Sequence, residues 1–347
     1  MKTALTVTTI SRPNACLLAL AQGARSSNWT FVVAGDVASP ADFHIDGCHY
    51  LDITLQRALE FGFAEKCPVK TYARKNIAYL HAMKMGASII VETDDDNMPQ
   101  QDFWECRSET RTGIPVSGQG WVNAYKYFTQ AHIWPRGFAL TAIQALDAPP
   151  DSKPPVTALC PIQQGLADSN PDVDALYRLL LPLPQFFDKD KSVILGRGAW
   201  CPFNSQNTTW FKRAFRLMYL PVHCSFRMTD IWRSFVAQRI AWENGWQVSF
   251  HSPTVSQDRN EHNLLSDFEQ EIPGYLLNQT IANALDSLSL ASGEDLIASN
   301  MLRCYESLIS LGAVGSGELD LLSRWLTDCE QLDQSSPAIG EHVAVGT

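Results

Sequence analysis

Residues 89–97, with the sequence IIVETDDDN, run from an aliphatic segment directly into consecutive aspartates. The aliphatic residues predict a short strand that is buried on both faces, as in the interior of a parallel sheet. A helix is predicted over residues 72–85, with Gly86 placed to end it as a C-cap glycine does. Because open α/β sheets bind ligands at the carboxyl ends of their strands, the stretch predicts an α/β fold with a polar site beginning at Asp94.

The N-terminal segment shows the same alternation of strand and helix. Residues 4–10 and 29–34 are rich in β-branched and aromatic residues and predict strands, and the apolar segment 15–24 between them predicts a helix. Further along, residues 230–244 predict an amphipathic helix. The proline-rich segment 149–161 is expected to lack regular structure.

The length and composition are those of a globular protein. A chain of 347 residues that is 45% hydrophobic and 18% charged can bury a substantial core. After residue 275 the sequence changes to Leu, Ala and Ser at helical spacing. We therefore predict one α/β domain over residues 1–275, a helical C-terminal appendage over 276–333 and a flexible tail over 334–347.

The charge and the cysteines exclude several classes of function. A net charge of −10 argues against a sequence-independent nucleic-acid binder, which needs a basic face. The first residues lack the apolar core of a signal peptide, and no window approaches the ~18 apolar residues of a membrane span. The nine cysteines are scattered without a C-x-x-C pair, which suits reduced thiols. We expect a cytoplasmic protein without a membrane span; the sequence leaves the oligomeric state open.

The aspartates suggest a metal site. Side chains alternate along an extended chain, so Asp94 and Asp96 are expected to point one way and Asp95 the other. Carboxylates this close remain ionised beside a cation, and Mg²⁺ or Mn²⁺ prefers oxygen ligands. Arg74 and Lys75 begin the preceding helix, where free N–H groups and the helix dipole attract anions. The aspartates and the basic helix start together predict a site for a diphosphate bridged by a divalent ion. The alternative is that the aspartates form a solvated acidic turn and that Arg74 and Lys75 lie in a solvated first helical turn.

A second candidate lies at the start of the helix predicted over 230–244. Thr229 is expected to be the N-cap, with Asp230 in the first turn. Asp230 is either a capping residue or a carboxylate base that takes a proton from an attacking hydroxyl. Further candidates for a ligand-binding surface are Trp134, Arg136, Asn204 and Trp232. Isolated tryptophans, however, are more often part of a core.

Six segments in one colinear series, within about residues 45–275, resemble the STELLO-type glycosyltransferases. They are VKTYARKNIAYLHAMKMGASIIVETDDDN, IWPRGFAL, IQQGLADSNPDVDALYRL, PFNSQNTTW, YLPVHCSFRMTDIWRSFVAQRIAWENG and HSPTVSQDRNEHN. The resemblance implies a GT-A-like fold, in which a twisted, mostly parallel sheet flanked by helices binds a nucleotide-sugar. It further implies that a sugar moves from a nucleotide-diphosphate sugar, with UDP-sugars the first candidates, to a hydroxyl of a glycan or another acceptor.

The resemblance also implies roles for individual residues. Asp94 and Asp96 would be the D-x-D carboxylates that bind Mn²⁺ or Mg²⁺, and Asp95 would turn towards the ribose or a neighbouring basic group. The surface that binds the sugar or the acceptor would include Trp134, Arg136, Asn204 and Trp232. Asp230 would be the base if transfer inverts the sugar's configuration, and would only position the acceptor if transfer retains it. General analogy with the fold places base and ribose contacts after the first two strands, at Thr9, Ser11, Arg12 and Asp36.

The chain departs from the plant members of this family at residues 254–256. The plant proteins have the segment TVH there, and this chain has TVS. A histidine that could complete a metal site is thus missing there. His251 and His262 are the candidate substitutes, of which His262 is the one we assign to the metal.

Two other kinds of enzyme and one inactive protein are alternatives. A sugar-nucleotidyltransferase would carry a glycine-rich loop with a basic residue after the first strand, whereas residues 9–13 read TISRP. A haloacid-dehalogenase-type phosphatase carries its D-x-D after the first strand and not near residue 94. The third alternative, which the sequence leaves open, is a catalytically inactive GT-A-like protein that acts in binding or as a scaffold.

Overall fold

The computed structural model of the protein describes residues 1–144, 153–258 and 263–335. Its strands are β1 (Thr3–Thr8), β2 (Thr30–Ala34), β3 (Cys48–Leu51), β4 (Ile89–Thr93), β5 (Asn97–Pro99), β6 (Thr110–Val116), β7 (Gly120–Trp121), β8 (Val156–Leu159), β9 (Ile162–Asp168), β10 (Ser192–Leu195), β11 (Ala199–Trp200), β12 (Asn207–Phe211) and β13 (Val248–Gln257). Its helices are α1 (Ala15–Ser26), α2 (Ile53–Ala58), α3 (Gly62–Lys66), α4 (Lys75–Lys84), α5 (Leu140–Ile143), α6 (Ala175–Leu180), α7 (Thr229–Glu243), α8 (Leu264–Ser287), α9 (Ile297–Ser310) and α10 (Glu318–Ser335). Within these ranges no helix has both the length and the apolar character needed to cross a bilayer.

One large sheet organises the molecule, in the order β3-β2-β1-β4-β12-β9-β13-β10-β6-β8, with β5 paired to β13. The strands from β3 to β4 are parallel. Because β12 runs antiparallel to both β4 and β9, strand β9 and its parallel neighbour β13 run in the direction of β4. The carboxyl ends of β1, β2, β4, β9 and β13 therefore meet the amino end of β12 at one edge. The predicted α/β class is confirmed, with a parallel N-terminal part and mixed pairing beyond it.

Helices cover both faces of this sheet, which explains why consecutive residues of β1 and β4 are buried instead of every second one. Ile90 of β4 belongs to the larger hydrophobic cluster, together with residues of α4 and α7. Its neighbours Ile89 and Val91 belong to a smaller cluster that includes residues of α1. Gly86 follows α4 with a φ of 81°, in the left-handed region that glycine tolerates, so the predicted helix end is confirmed.

The C-terminal helices pack on the same core as the sheet. Helix α8 continues across residue 275, where we placed a domain boundary. Trp325 of α10 is fully buried in the larger cluster, and the carboxylate of Asp328 accepts hydrogen bonds from the N–H groups of Gly62 (2.9 Å) and Phe63 (2.8 Å) at the start of α3. The division into a domain and an appendage stays a prediction. The predicted tail lies outside the described residues from position 336 onwards.

The expectation for the proline-rich segment 149–161 is wrong in its second half, where β8 pairs antiparallel with β6. Pro154 and Pro155 precede this strand and Pro161 follows it, so no proline removes a hydrogen-bond donor from the pairing. Residues 145–152 lie outside the described ranges.

A buried ion pair joins β4 to α7. Glu92 is inaccessible to solvent, and Arg233 contacts both of its oxygens, at 2.9 and 2.8 Å. Trp210 Nε1 donates to the same carboxylate at 2.7 Å, as does the hydroxyl of Tyr79. Burial by itself lowers the pKa of Arg233, but Glu92 raises it, so the guanidinium remains charged. The pair fixes the position of α7 against the central strand.

Removing one partner of this pair is expected to destabilise the fold. In Arg233→Met, Glu92 would stay charged and buried, so we expect the free energy of unfolding in urea to fall by about 3–5 kcal/mol. Adding Glu92→Gln to that variant should recover part of the loss, since a neutral amide can still accept from Trp210.

The matched control is Arg324→Gln, which breaks the exposed ion pair with Asp320 (3.0 Å). It should change stability by less than about 0.5 kcal/mol. If Arg233→Met lost no more stability than this control, the structural role of the buried pair would be refuted.

Candidate functional site

A cavity of about 390 Å³ opens at the sheet edge where the strand ends meet. Its lining includes Asp94, Asp95 and Asp96 after β4, Asp172 after β9, Ser205 before β12, Gln257 at the end of β13, Arg136 and Asp230. The predicted D-x-D segment and the predicted carboxylate of α7 thus lie in one cavity, although they are more than a hundred residues apart in the sequence.

The chain turns at the aspartates instead of continuing the strand. Residues 95 and 96 form the turn, and the N–H of Asn97 lies 3.4 Å from the carbonyl oxygen of Asp94. Side-chain alternation requires an extended chain, so it does not set the directions of these side chains, and the expected orientation of Asp95 stays a prediction. Asp95 lines the same cavity, and its carboxylate also accepts a hydrogen bond of 2.5 Å from Thr9 Oγ1.

Lys75 lies beneath Asp94 and is fully buried. Its ammonium group donates to Asp94 Oδ1 at 2.8 Å and to the carbonyl oxygens of Thr93 (2.8 Å) and Ser205 (3.1 Å). The hydroxyl of Tyr72 donates to the same carboxylate oxygen at 2.7 Å. Lys75 therefore compensates the charge of Asp94 from below and is not among the residues that line the cavity.

A second cavity of about 340 Å³ adjoins the first. The residues that line both are Thr8, Ile10, Tyr72, Asp95 and Phe226. Of the predicted nucleotide contacts, Thr9, Asp36 and Arg74 line the second cavity and Ser11 lines the first. Arg12 lines neither; its side chain is 75% exposed and pairs with Asp42 at 3.2 Å.

Arg136 is held between two carboxylates. It donates to Asp172 through Nε and Nη2, at 2.8 and 3.0 Å, and to Asp230 through Nη1 and Nη2, at 3.0 and 2.9 Å. Asn204 Nδ2 donates to Asp172 at 2.8 Å from a buried position. Burial raises the pKa of Asp230, but Arg136, followed by other arginines, lowers it to about 2.

The low pKa of Asp230 bears on its predicted role. Asp230 lies in the first turn of α7 as expected, whereas Thr229 is the first helical residue and not the N-cap. A general base works best when its pKa is near the operating pH. The ion pair with Arg136 therefore favours a permanently ionised carboxylate that binds and orients its neighbours, and the role of Asp230 as a base stays a prediction.

The two candidate tryptophans lie in the core. Trp134 is 4% exposed and donates to Asp174 at 2.7 Å, and Trp232 is 1% exposed and donates to Asn278 at 2.9 Å. Neither lines the cavities at the sheet edge. The structure thus gives no support to a sugar-binding surface made by these rings.

The structure describes one of the two candidate histidines. His262 lies outside the described residues. His251 lines a different cavity, where burial and then Arg111 and Arg107 lower its pKa to about 3. Over residues 1–144, 153–258 and 263–335, no group of three or more His, Cys, Asp and Glu side chains is arranged to hold a metal ion.

The carboxylates themselves have the chemistry that a divalent metal requires. Asp94, Asp95 and Asp96 line one cavity, and Lys75 lies against Asp94. Burial, the largest influence, raises the pKa of Asp95, and the nearby charge of Asp94 adds to this rise. Carboxylate oxygens are the ligand type that Mg²⁺ and Mn²⁺ prefer, so the metal site stays a prediction for these residues.

Several residues of the site were not assigned to it from the sequence. Asp172 is one of them, since it belongs to the cluster around Arg136. Phe226 is 56% exposed and packs edge-on against Tyr72, with ring centroids 5.9 Å apart. The sequence could have indicated Tyr72, because it lies three positions before Lys75 at a helix start and so on the same face. Nothing in the sequence indicated that Phe226 belongs to the site.

Comparison with known proteins supports the resemblance. The family model for STELLO glycosyltransferases matches residues 227–344, from just before α7 through the C-terminal helices. Two Arabidopsis thaliana proteins, Probable glycosyltransferase STELLO2 and Probable glycosyltransferase STELLO1, are 29% and 27% identical to this chain over 259 and 253 residues. These alignments cover 69% and 67% of this chain but 34% and 33% of the relatives, so the chain spans about a third of their length.

Among solved structures, one titled "Crystal Structure of a Mycobacterial Protein" aligns with a TM-score of 0.40 and 9% identity. It covers 80% of this chain and 75% of that chain. A similarity at this level supports no conclusion about function.

The burial of neutral His251 predicts that acid weakens the fold. Its pKa is about 3 in the folded chain, against 6.5 for an unperturbed histidine. The unfolded chain therefore binds one more proton between these values, and the free energy of unfolding falls as the pH drops from 6.5 towards 3. The contribution is at most about 1.4 kcal/mol per pH unit.

Urea denaturation at several pH values would measure this slope. In His251→Gln, the free energy of unfolding should change less steeply with pH than in the parent protein. In His44→Gln, which changes an exposed histidine, the slope should equal that of the parent. An equal slope in the parent and His251→Gln would contradict the prediction.

Proposed function

We propose, from its relationship to the STELLO glycosyltransferases, that this chain transfers a sugar from a nucleotide-diphosphate sugar to a hydroxyl acceptor, assisted by a divalent metal. The observation that carries the proposal is the pair of adjoining cavities at one sheet edge. Their volumes of about 390 and 340 Å³ are together suited to an elongated ligand of nucleotide-sugar size. Asp95 lines both cavities, and Asp94 and Asp96 line the first.

The nucleoside is proposed to bind in the second cavity. Its walls come from the loops after β1 and β2, including Thr9 and Asp36. Arg74 also lines it, held by Gln56 (2.8 Å) and two carbonyl oxygens, while its buried Nη2 has no hydrogen-bond partner among the described residues. That nitrogen leaves one donor for a polar group of the ligand. Asp95 connects this cavity to the first.

The diphosphate and metal are proposed to bind in the first cavity, with Asp94 and Asp96 as the residues that would hold the metal. A bound Mn²⁺ or Mg²⁺ would supply positive charge to the leaving diphosphate. Lys75 and Tyr72 fix Asp94 by binding its Oδ1. Gln257 Nε2 donates to Asp96 Oδ2 at 3.0 Å and so orients that carboxylate from β13.

The acceptor is proposed to bind against Asp172 and Asp230. Both carboxylates form ion pairs with Arg136 and line the first cavity. Ionised carboxylates accept strong hydrogen bonds from hydroxyl groups. Asp230 would then position the acceptor, as expected for transfer that retains configuration.

The metal role of Asp96 is tested by measuring nucleotide release from UDP-, GDP- and CDP-sugars with Mn²⁺. We expect release from at least one donor, and a decrease of about 100-fold or more in Asp96→Asn because a preorganised charge partner is lost. The matched control is Asp46→Asn, at a position with an 86% exposed side chain, which should keep full turnover.

Unchanged turnover in a folded Asp96→Asn protein would eliminate the assigned metal role. No release across the donor panel, together with no Mn²⁺-dependent thermal shift, would instead support a catalytically inactive binding protein.

The positioning role of Asp230 predicts a specific kinetic pattern. Asp230→Asn should raise KM for the acceptor more than it lowers kcat, and the acidic limb of the kcat profile against pH should remain. If that limb disappeared and kcat fell by about 10²–10⁴, Asp230 would be the general base.

A further inference from the structure

We propose that the protein has a second binding site, separate from the sheet edge, for a small molecule that carries a phosphate group. The site is a cavity of about 780 Å³ beside the irregularity in β13 between His251 and Val255. Among the described residues, none that lines this cavity also lines either cavity at the sheet edge. It does not depend on the proposed glycosyl transfer.

Two arginines line the cavity without a carboxylate partner. Across residues 1–144, 153–258 and 263–335, neither Arg107 nor Arg111 makes an ion pair. Arg107 donates to neutral acceptors, namely the carbonyl oxygens of Phe103 (2.6 Å) and Glu105 (2.9 Å) and the hydroxyl of Thr209 (3.3 Å). Nε of Arg111 is buried and has no hydrogen-bond partner among the described residues.

The two guanidinium groups repel each other. Burial lowers the pKa of Arg107 to about 10, and Arg111 is the next largest cause, ahead of the opposing effects of Glu105 and Asp102. The same arginines, after burial, lower the pKa of His251. A bound anion would relieve this repulsion, which is the electrostatic reason to expect one.

The remaining lining supplies neutral hydrogen-bonding groups. Ser192 Oγ is buried without a partner among the described residues. Nδ1 of His251 lies 2.9 Å from the carbonyl oxygen of Ser252, so the neutral ring donates there and leaves Nε2 as an acceptor. Lys189 and Lys191 are already engaged with Asp168 (3.6 Å) and Asp188 (2.6 Å).

These features define the class of ligand. Guanidinium groups match the oxygens of a phosphate, which can accept from both arginines at once. The cavity is larger than a phosphate ion needs and lies within the size range of small-molecule sites. Asp102, Glu105 and Asp190 also line it and can accept hydrogen bonds from hydroxyl groups. A phosphorylated sugar or polyol could bind both the arginines, through its phosphate, and the carboxylates, through its hydroxyl groups. Inorganic phosphate could bind the arginines alone.

Calorimetric titration in a phosphate-free buffer at pH 7 tests the site with glucose 6-phosphate, inorganic phosphate and glucose. We expect saturable binding of glucose 6-phosphate and none of glucose. Tighter binding of glucose 6-phosphate than of phosphate would show that the hydroxyl groups contribute, and equal binding would show that the phosphate alone is recognised.

Arg111→Gln should weaken binding of the phosphate probes by about tenfold or more, because a charge-assisted contact is lost. Arg324→Gln, which removes an arginine of α10 whose partner is the exposed Asp320, should bind as the parent does. Asp96→Asn should also bind normally, which separates this site from the proposed donor site. Absence of binding to the parent protein, or an unchanged Kd in folded Arg111→Gln, would overturn the proposal.

Discussion

The buried ion pair between Glu92 and Arg233 connects the two elements that carry the candidate site. Glu92 lies two residues before Asp94 on β4, and Arg233 lies one helical turn after Asp230 on α7. Arg233 also donates to the carbonyl oxygen of Asn204 at 3.1 Å. Buried pairs contribute little net stability when they replace well-packed apolar groups, but they penalise arrangements in which one charge is left alone. This pair therefore sets the position of Asp230 relative to the aspartates.

Lys75 acts in a comparable way beneath the first aspartate. Its ammonium group has no access to solvent and binds Asp94 together with two backbone carbonyl oxygens, so Asp94 has little freedom to move. In the lining of the same cavity, Arg136 is fixed by Asp172 and Asp230. Three carboxylates of this cavity, those of Asp94, Asp172 and Asp230, are thus each paired with a buried cation. Carboxylates fixed in this way are suited to a ligand that binds together with a metal ion and carries hydroxyl groups.

The sequence predicted the sheet edge well because the information was local. The apolar run before Asp94 required a buried strand, and its end located the aspartates. Alternation could not set the direction of Asp95, because it assumes an extended chain whereas the chain turns there. The partners of Glu92 could not be inferred, since Arg233 lies 141 positions away and depends on how α7 packs. A charged residue within an aliphatic strand was nevertheless a visible sign that a buried partner existed. The roles of Trp134 and Trp232 could not be predicted, because residue type alone does not distinguish a sugar-binding ring from a ring in the core.

The central claim is that Asp94 and Asp96 hold a metal in the cavity that is also lined by Arg136, Asp172 and Asp230. A crystal soaked with Mn²⁺ and a uridine diphosphate, measured for anomalous scattering at the manganese edge, tests it most directly. The account predicts an anomalous peak bound by the carboxylates of Asp94 and Asp96, with the nucleoside in the cavity lined by Thr9 and Asp36. Nucleotide bound in the same crystal with no manganese at these carboxylates, or bound away from this sheet edge, would contradict it.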